Sequence, residues 1–378
     1  MKEIPFYKAQ IDKKEEDLIK SALYNSDIRY SEIFEEDICK YFGVKHAVST
    51  TSGTTALHLA LCAMDIKRGD KILCSVNSFP NVAEVIRHFD AEPVFVDIDP
   101  ISFNITSESL ARTIDQNRHK KLKCAFISHI AGLAADIDAI SEVAKSENII
   151  LIDDACRAMG ATYKGAKIGA LKSSLISCFQ INPQAQDAIS TAGFFVTNDD
   201  EIASAAQILR NGGIVGDAFY KDGNMSFTYD VDRIGQKYDL NAINSAYAIA
   251  QFEKTDAFIK RRKQIAAAYR EQLANCPHVT LPSDSEEHIY TQFIVKIDKN
   301  RDDFAKALIS RGVSVSLHYV PVHLLSYYKS KYNYKVNDFP NALKNYQQIL
   351  SLPIYTALSD DDVSYICEQI KEIAQNRV

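Results

Sequence analysis

The chain has 378 residues, 46% of them hydrophobic and 24% charged. That is the composition of an ordinary folded protein of about two domains, and it excludes a disordered or collagen-like chain. A net charge of −6, from 43 basic and 49 acidic side chains, leaves no basic excess for nonspecific nucleic-acid binding, and no apolar run nears the roughly 20 residues of a membrane span. The start, Met1-Lys2-Glu3-Ile4-Pro5, has no apolar signal core, so a cytoplasmic protein is expected. The eight cysteines include no CxxC pair, so a structural zinc site is not expected; they read as small buried hydrophobes of a reducing compartment.

In chain order, Phe34–Phe42 reads as a helix and Val48–Thr51 as a short strand. An apolar helix over Thr54–Met64 is opened by Ser52-Gly53, and a strand over Asp70–Ser75 ends at Asn77-Ser78-Phe79-Pro80. Helix Val82–Phe89, strand Pro93–Val96, strand Cys124–Ser128, helix Ile137–Lys145 and strand Ile149–Ile152 follow. Short apolar runs between helices indicate parallel strands buried on both faces, with functional groups at their carboxyl ends. Later, Phe252–Leu273 reads as one long charged helix, whose Lys260-Arg261-Arg262-Lys263 is expected to be a solvated face. Strands over Tyr290–Ile297 and Val313–Leu317, helices near 302–311 and 340–349, and a last helix over Asp360–Gln375 complete a second, α+β part. Residues 1–250 and 251–378 are the expected domains.

Three short patterns carry chemistry. Thr51-Ser52-Gly53-Thr54-Thr55 leads a strand into a helix, where free amides and the positive dipole end suit a phosphate; Ser and Thr also cap ordinary helices there. Asp153-Asp154 ends a buried strand, where a carboxylate could bind a metal, hold a ribose, keep a heterocyclic nitrogen protonated, or cap the next helix. Phe79 at another strand end could stack on a planar ligand or pack in the core.

The order and intervals of these patterns resemble the DegT/DnrJ-type sugar aminotransferases, a pyridoxal phosphate (PLP) family of fold type I. Within it, the likeness is greatest to enzymes aminating C4 of UDP-linked deoxy-sugars, as in pseudaminic acid synthesis. It extends through Val94–Thr106, Leu151–Gly169, Phe252–Arg262, His318–His323 and Ile349–Tyr355. The resemblance implies an α/β fold: an aspartate-aminotransferase-like large domain with a central, mostly parallel sheet, and a smaller C-terminal α+β domain. It implies that Gly53, Thr54 and Thr55 bind the cofactor phosphate, that Phe79 stacks on the pyridine ring, and that Asp154 pairs with the ring nitrogen. It places His318, Tyr319 and His323 beside the substrate, a nucleotide-linked keto-deoxy-sugar. A homodimer is implied, or a heteromer with a paralogue, because family sites form between subunits.

The sequence departs from that pattern at the lysine that forms the cofactor Schiff base. Ile181-Asn182-Pro183-Gln184-Ala185 puts Ala185 there, and no lysine occurs between Lys172 and Lys221. No catalytic residue is therefore assigned, and PLP or its amine form PMP, if bound, is held noncovalently. Arg157 stands where the family has Gln or His. Lys237 and Asp239 replace the Asn and Arg that reach the neighbouring subunit's phosphate. Arg157 and Lys237 would each add positive charge for an anion, although Lys237 could equally pair with Asp239. Three readings follow. The chain acts on a sugar nucleotide with noncovalent cofactor; it is a silent homologue that binds one or partners an active paralogue; or it performs altered, lysine-independent chemistry.

Overall fold

The computed structural model describes residues 2–181, 191–216 and 229–376. The chain opens with two helices, α1 (Lys13–Tyr24) and α2 (Tyr30–Phe42), then alternates: β1 (His46–Thr50), α3 (Gly53–Ala63), β2 (Lys71–Ser75), α4 (Asn81–Arg87), β3 (Glu92–Val96), α5 (Ser107–Gln116), β4 (Leu122–Ser128), α6 (Ile137–Ser146) and β5 (Ile150–Asp154). A two-residue hairpin, β6 (Thr162–Tyr163) and β7 (Ala166–Lys167), precedes β8 (Ile176–Ile181) and β9 (Ala192–Thr197). The seven-stranded sheet runs β1-β9-β8-β5-β4-β2-β3. Its pairs are parallel from β8 to β3, while β9 lies antiparallel to both β1 and β8. The expected mostly parallel sheet is present. Apolar side chains bury both of its faces, as parallel strands require: Ile72, Cys74, Phe126 and Ile152 toward one, Leu73, Ala125, Ile127 and Leu151 toward the other.

Helix α7 (Asp200–Leu209) and the small strands β10 (Ile214–Val215) and β11 (Asp230–Val231) lead to α8 (Ala242–Glu253) and α9 (Thr255–Leu273). The single helix expected over Phe252–Leu273 is thus two. Lys254 is the boundary residue between them, C-cap of the first and N-cap of the second, and its ammonium reaches back to Glu15 and Asp12 near the start of α1. A three-stranded antiparallel sheet, β12 (Val279–Thr280), β13 (Phe293–Ile297) and β14 (Ile349–Leu352), is accompanied by α10 (Arg301–Ser310), α11 (Ser326–Tyr332), whose Tyr328 packs against Phe95 of β3, α12 (Pro340–Gln348) and α13 (Asp360–Gln375). The strand expected over Val313–Leu317 is reduced to single bridges, Val313 to Ile4 and Ser316 to Ser351. Ile4 is buried in the same core as β13, β14 and α13, so the first residues of the chain pack with its last third. No helix among the described residues is long and apolar enough to cross a membrane.

Candidate ligand site at the strand ends

Successive strand residues face opposite sides of a sheet, and this separates the two aspartates of β5. Asp153 is wholly buried; it accepts from Ser174 Oγ (2.8 Å) and Ser177 Oγ (2.6 Å), and His129 Nε2 stands 3.3 Å from its Oδ1. Asp154 turns to the other side. Its Oδ2 accepts from Ser128 Oγ at 2.8 Å, its neighbour across the β4–β5 pairing, and its Oδ1 from the Cys156 amide at 3.4 Å. Asp154 lines a cavity of about 820 Å³.

The start of α3 borders the same cavity. Ser52 is its N-cap: its hydroxyl accepts from the Thr55 amide (3.2 Å) and its own amide donates to Thr55 Oγ1 (2.9 Å). Thr55 thus spends its side chain on the cap. The amides of Gly53 and Thr54 come first in the helix and have no intrahelical acceptor. A Cβ on Gly53 would stand 2.6 Å from Cys156 Sγ and 2.8 Å from Gln180 Oε1, so only glycine lets this turn approach the end of β8. Thr54 lines the cavity, and its hydroxyl accepts from Asn81 Nδ2 at 2.5 Å.

Phe79, just after β2, leaves 52% of its surface open in this cavity. An exposed aromatic face beside a carboxylate suits a flat, cationic partner. Its edge-to-face neighbour at 6.1 Å is Tyr319, from the C-terminal part. The Tyr319 amide donates to Asn77 Oδ1 (3.4 Å), and Gln292 Nε2 donates to its hydroxyl (3.4 Å). His318 is buried beside it, with Nδ1 2.8 Å from Ser351 Oγ. Burial, reinforced by the Arg157 guanidinium, pushes the His318 pKa down to about 3, so the imidazole is neutral at physiological pH.

Arg157 also lines the cavity. Its Nη1 is buried without a hydrogen-bond partner, while its carbonyl accepts from Thr291 Oγ1 at 2.7 Å. Gly53, Thr54, Thr55, Phe79, Asp154, Arg157, His318 and Tyr319 are therefore at or beside one cavity. His323 is not among its walls: it is fully buried, with Nε2 3.1 Å from the Val336 carbonyl and its ring against Phe339. Lys237 stands on the surface, 2.9 Å from both Asp239 Oδ1 and Asn211 Oδ1. Ala185 lies outside the described residues. Ser128 and Gln180 also reach the cavity, and sequence reading passed over both. Ser128 ends β4 and Gln180 is the last residue but one of β8, the two strands next to β5 in the sheet, and that adjacency is the signal that would have found them.

The sequence model of the DegT/DnrJ/EryC1/StrS aminotransferase family matches residues 7–371. An uncharacterised protein of Methanocaldococcus jannaschii is 34% identical over 91% of this chain and 90% of its own. The spore coat polysaccharide biosynthesis protein SpsC of Bacillus subtilis is 31% identical over 90% and 89%. Among solved structures, S. venezuelae DesV in complex with a ketimine intermediate matches with a TM-score of 0.85 at 26% identity, covering 96% of this chain and 95% of that one. Helicobacter pylori PseC, an aminotransferase involved in the biosynthesis of pseudoaminic acid, has the same fold over the whole of both chains, with a TM-score of 0.89 at 23% identity.

Proposed function

The chain belongs to the DegT/DnrJ/EryC1/StrS aminotransferase family, and from that premise we propose that it binds PLP or PMP noncovalently and handles a nucleotide-linked keto-deoxy-sugar without a lysine attachment. The observation that carries this reading is the meeting, in one cavity, of an aspartate held by a strand-end serine, an open aromatic face and a helix start. These residues fit the cofactor. Asp154 supplies the anion for a protonated ring nitrogen, Phe79 a face for the ring, and the turn of Gly53, Thr54 and Thr55 the donors for a phosphate. When bound, the cofactor supplies an electron sink and a carrier for the amino group.

The chain's own residues do the rest. Ser128 fixes the direction of the Asp154 carboxylate. His318, neutral and tied to Ser351, and Tyr319 form the substrate side, with His323 behind them in the core. His318 can accept a proton on its ring only by overcoming its burial, so it serves better as a positioned hydrogen-bonding group than as a cation. Among the described residues that line this cavity, none is a lysine.

A second reading is favoured by the surroundings of Lys237. Ile214, Val231 and Ile234 stand exposed near it, a surface suited to covering by another chain. A homodimer, or a heteromer with an active paralogue, would bring Lys237 toward a neighbour's cavity. Obligate interfaces of that kind bury more than about 2,000 Å².

Borohydride reduction of the PLP-loaded chain separates noncovalent from covalent holding. We expect cofactor that gel filtration removes, and no stoichiometric reduced adduct on any peptide. A stoichiometric borohydride-stable adduct on any lysine would overturn the proposal.

A further inference from the structure

The basic run at the middle of α9 is not uniformly solvated. Arg261 donates to the Leu358 carbonyl (2.6 Å) and pairs with Asp360, and Lys263 donates to the Glu286 carbonyl (2.5 Å). Arg262 instead points inward. Among the described residues its side chain has one hydrogen bond, from Nε to the Ile289 carbonyl at 3.0 Å, and no carboxylate within 4 Å. It lines a chamber of about 70 Å³ behind the main cavity, and Arg157 lines the same chamber. Arg157 likewise has no carboxylate within 4 Å among the described residues, and its Nη1 is buried and unpartnered. The wall between chamber and cavity is made by Tyr7, Cys156, Arg157 and Gln180, which border both.

Two arginines line one small space, and among the described residues no carboxylate stands within 4 Å of either, which leaves a local excess of positive charge there. A buried cation without a counter-charge is costly, and arginine does not escape by losing its proton. Burial does strain it in that direction, pushing Arg262 down to about 10. The planar fork of a guanidinium matches a carboxylate through two parallel hydrogen bonds. The chamber holds roughly five waters, room for a carboxylate and a few waters but not for a sugar phosphate.

We propose that Arg157 and Arg262 form a carboxylate-binding subsite, which takes the carboxylate of a small organic acid. It goes beyond the cofactor reading and does not depend on it, because none of Gly53, Thr54, Thr55, Phe79 or Asp154 lines the chamber. The Tyr7 ring and the Thr291 side chain close its sides, and Arg157, bordering both spaces, couples its occupant to whatever lies in the main cavity.

The test is a titration of the full-length chain with acetate labelled at the carboxyl carbon, read by NMR line broadening at constant ionic strength. Saturable broadening is expected in the native chain. It should weaken about tenfold or more in Arg262→Gln and in Arg157→Gln, as expected for loss of a charged hydrogen-bonding partner. Arg262→Lys, which keeps the charge and loses the fork, should fall between. PLP affinity unchanged in Arg262→Gln would show an intact cavity in that variant and keep this test separate from that of the cofactor. Unsaturable broadening in the native chain, equal suppression by equimolar chloride, or unaltered acetate binding in a folded Arg262→Gln would each overturn the subsite.

Discussion

Asp154 is held by a hydroxyl and a backbone amide rather than by a cation, which leaves its charge for a ligand. Its neighbour Asp153 is in the opposite condition, consumed by two serines and His129. The pair was visible in the sequence, and so was its place at a strand end. The division of labour follows from the two-residue period of the strand. What sequence could not give was the wiring, because Ser128, Ser174 and Ser177 come from elsewhere in the chain. Arg262 shows the same limit: four adjacent basic residues look alike in sequence, and only the packing of α9 turns one of them inward. Lys237 gives a prediction at this scale. In its own chain it pairs with Asp239 at the surface and is not among the cavity walls, so its proposed reach toward a cofactor rests on a second copy of the chain. Sedimentation should therefore find a dimer, and Lys237→Asn should weaken PLP binding by about tenfold or more, the worth of one charged hydrogen bond. A monomer, or unchanged affinity in the variant, would reduce Lys237 to a surface ion pair.

At the scale of elements, the start of α3 depends on two fits. Ser52 caps the helix, and β9 passes beneath it so closely that a Cβ on Gly193 would lie 2.0 Å from the Ser52 carbonyl oxygen. Ser52→Ala should cost about 1 kcal/mol, the ordinary value of a lost N-cap. Gly193→Ala sets backbone against side chain where neither can turn aside, and should cost more, about 1–3 kcal/mol as overpacking does. Urea unfolding checks both; equal, small effects would mean that the turn relaxes freely. Most elements of the large sheet were legible because their apolar runs are short and regularly spaced. The break at Lys254 was not, because helical periodicity continues through it. Its partner is remote: the Lys254 ammonium at the boundary pairs with the wholly buried Glu15, 239 positions earlier in the chain. The stretch over Val313–Leu317 alternates like a strand, but its neighbours Ile4 and Ser351 each meet it at a single residue.

The whole molecule brings the carboxyl ends of the large sheet against His318 and Tyr319 of the last third, and it buries imidazoles elsewhere too: His58 packs against Phe89 and His288 against Tyr290. Burial pushes His318 and His288 down to about 3 and His58 to about 4. An unfolded histidine titrates near about 6.5. Between those values the unfolded chain binds more protons, so stability is complete above about pH 6.5 and falls as the pH drops below it. Each of His318 and His288 contributes a slope of up to about 1.4 kcal/mol per pH unit within that window. Urea midpoints should therefore fall steadily from about pH 7 to about pH 5, and less steeply in His288→Gln. A flat profile would contradict this assignment of neutral histidines. The proposed function requires the cavity beside Asp154 to receive a protonated ring nitrogen as well as a phosphate. Calorimetric titration of the native chain and Asp154→Ala with PLP and with inorganic phosphate tests it most directly. We expect PLP affinity to fall about tenfold or more in the variant, from loss of a charged hydrogen-bonding partner, with phosphate binding unchanged. Equal PLP affinity in the two proteins would contradict it.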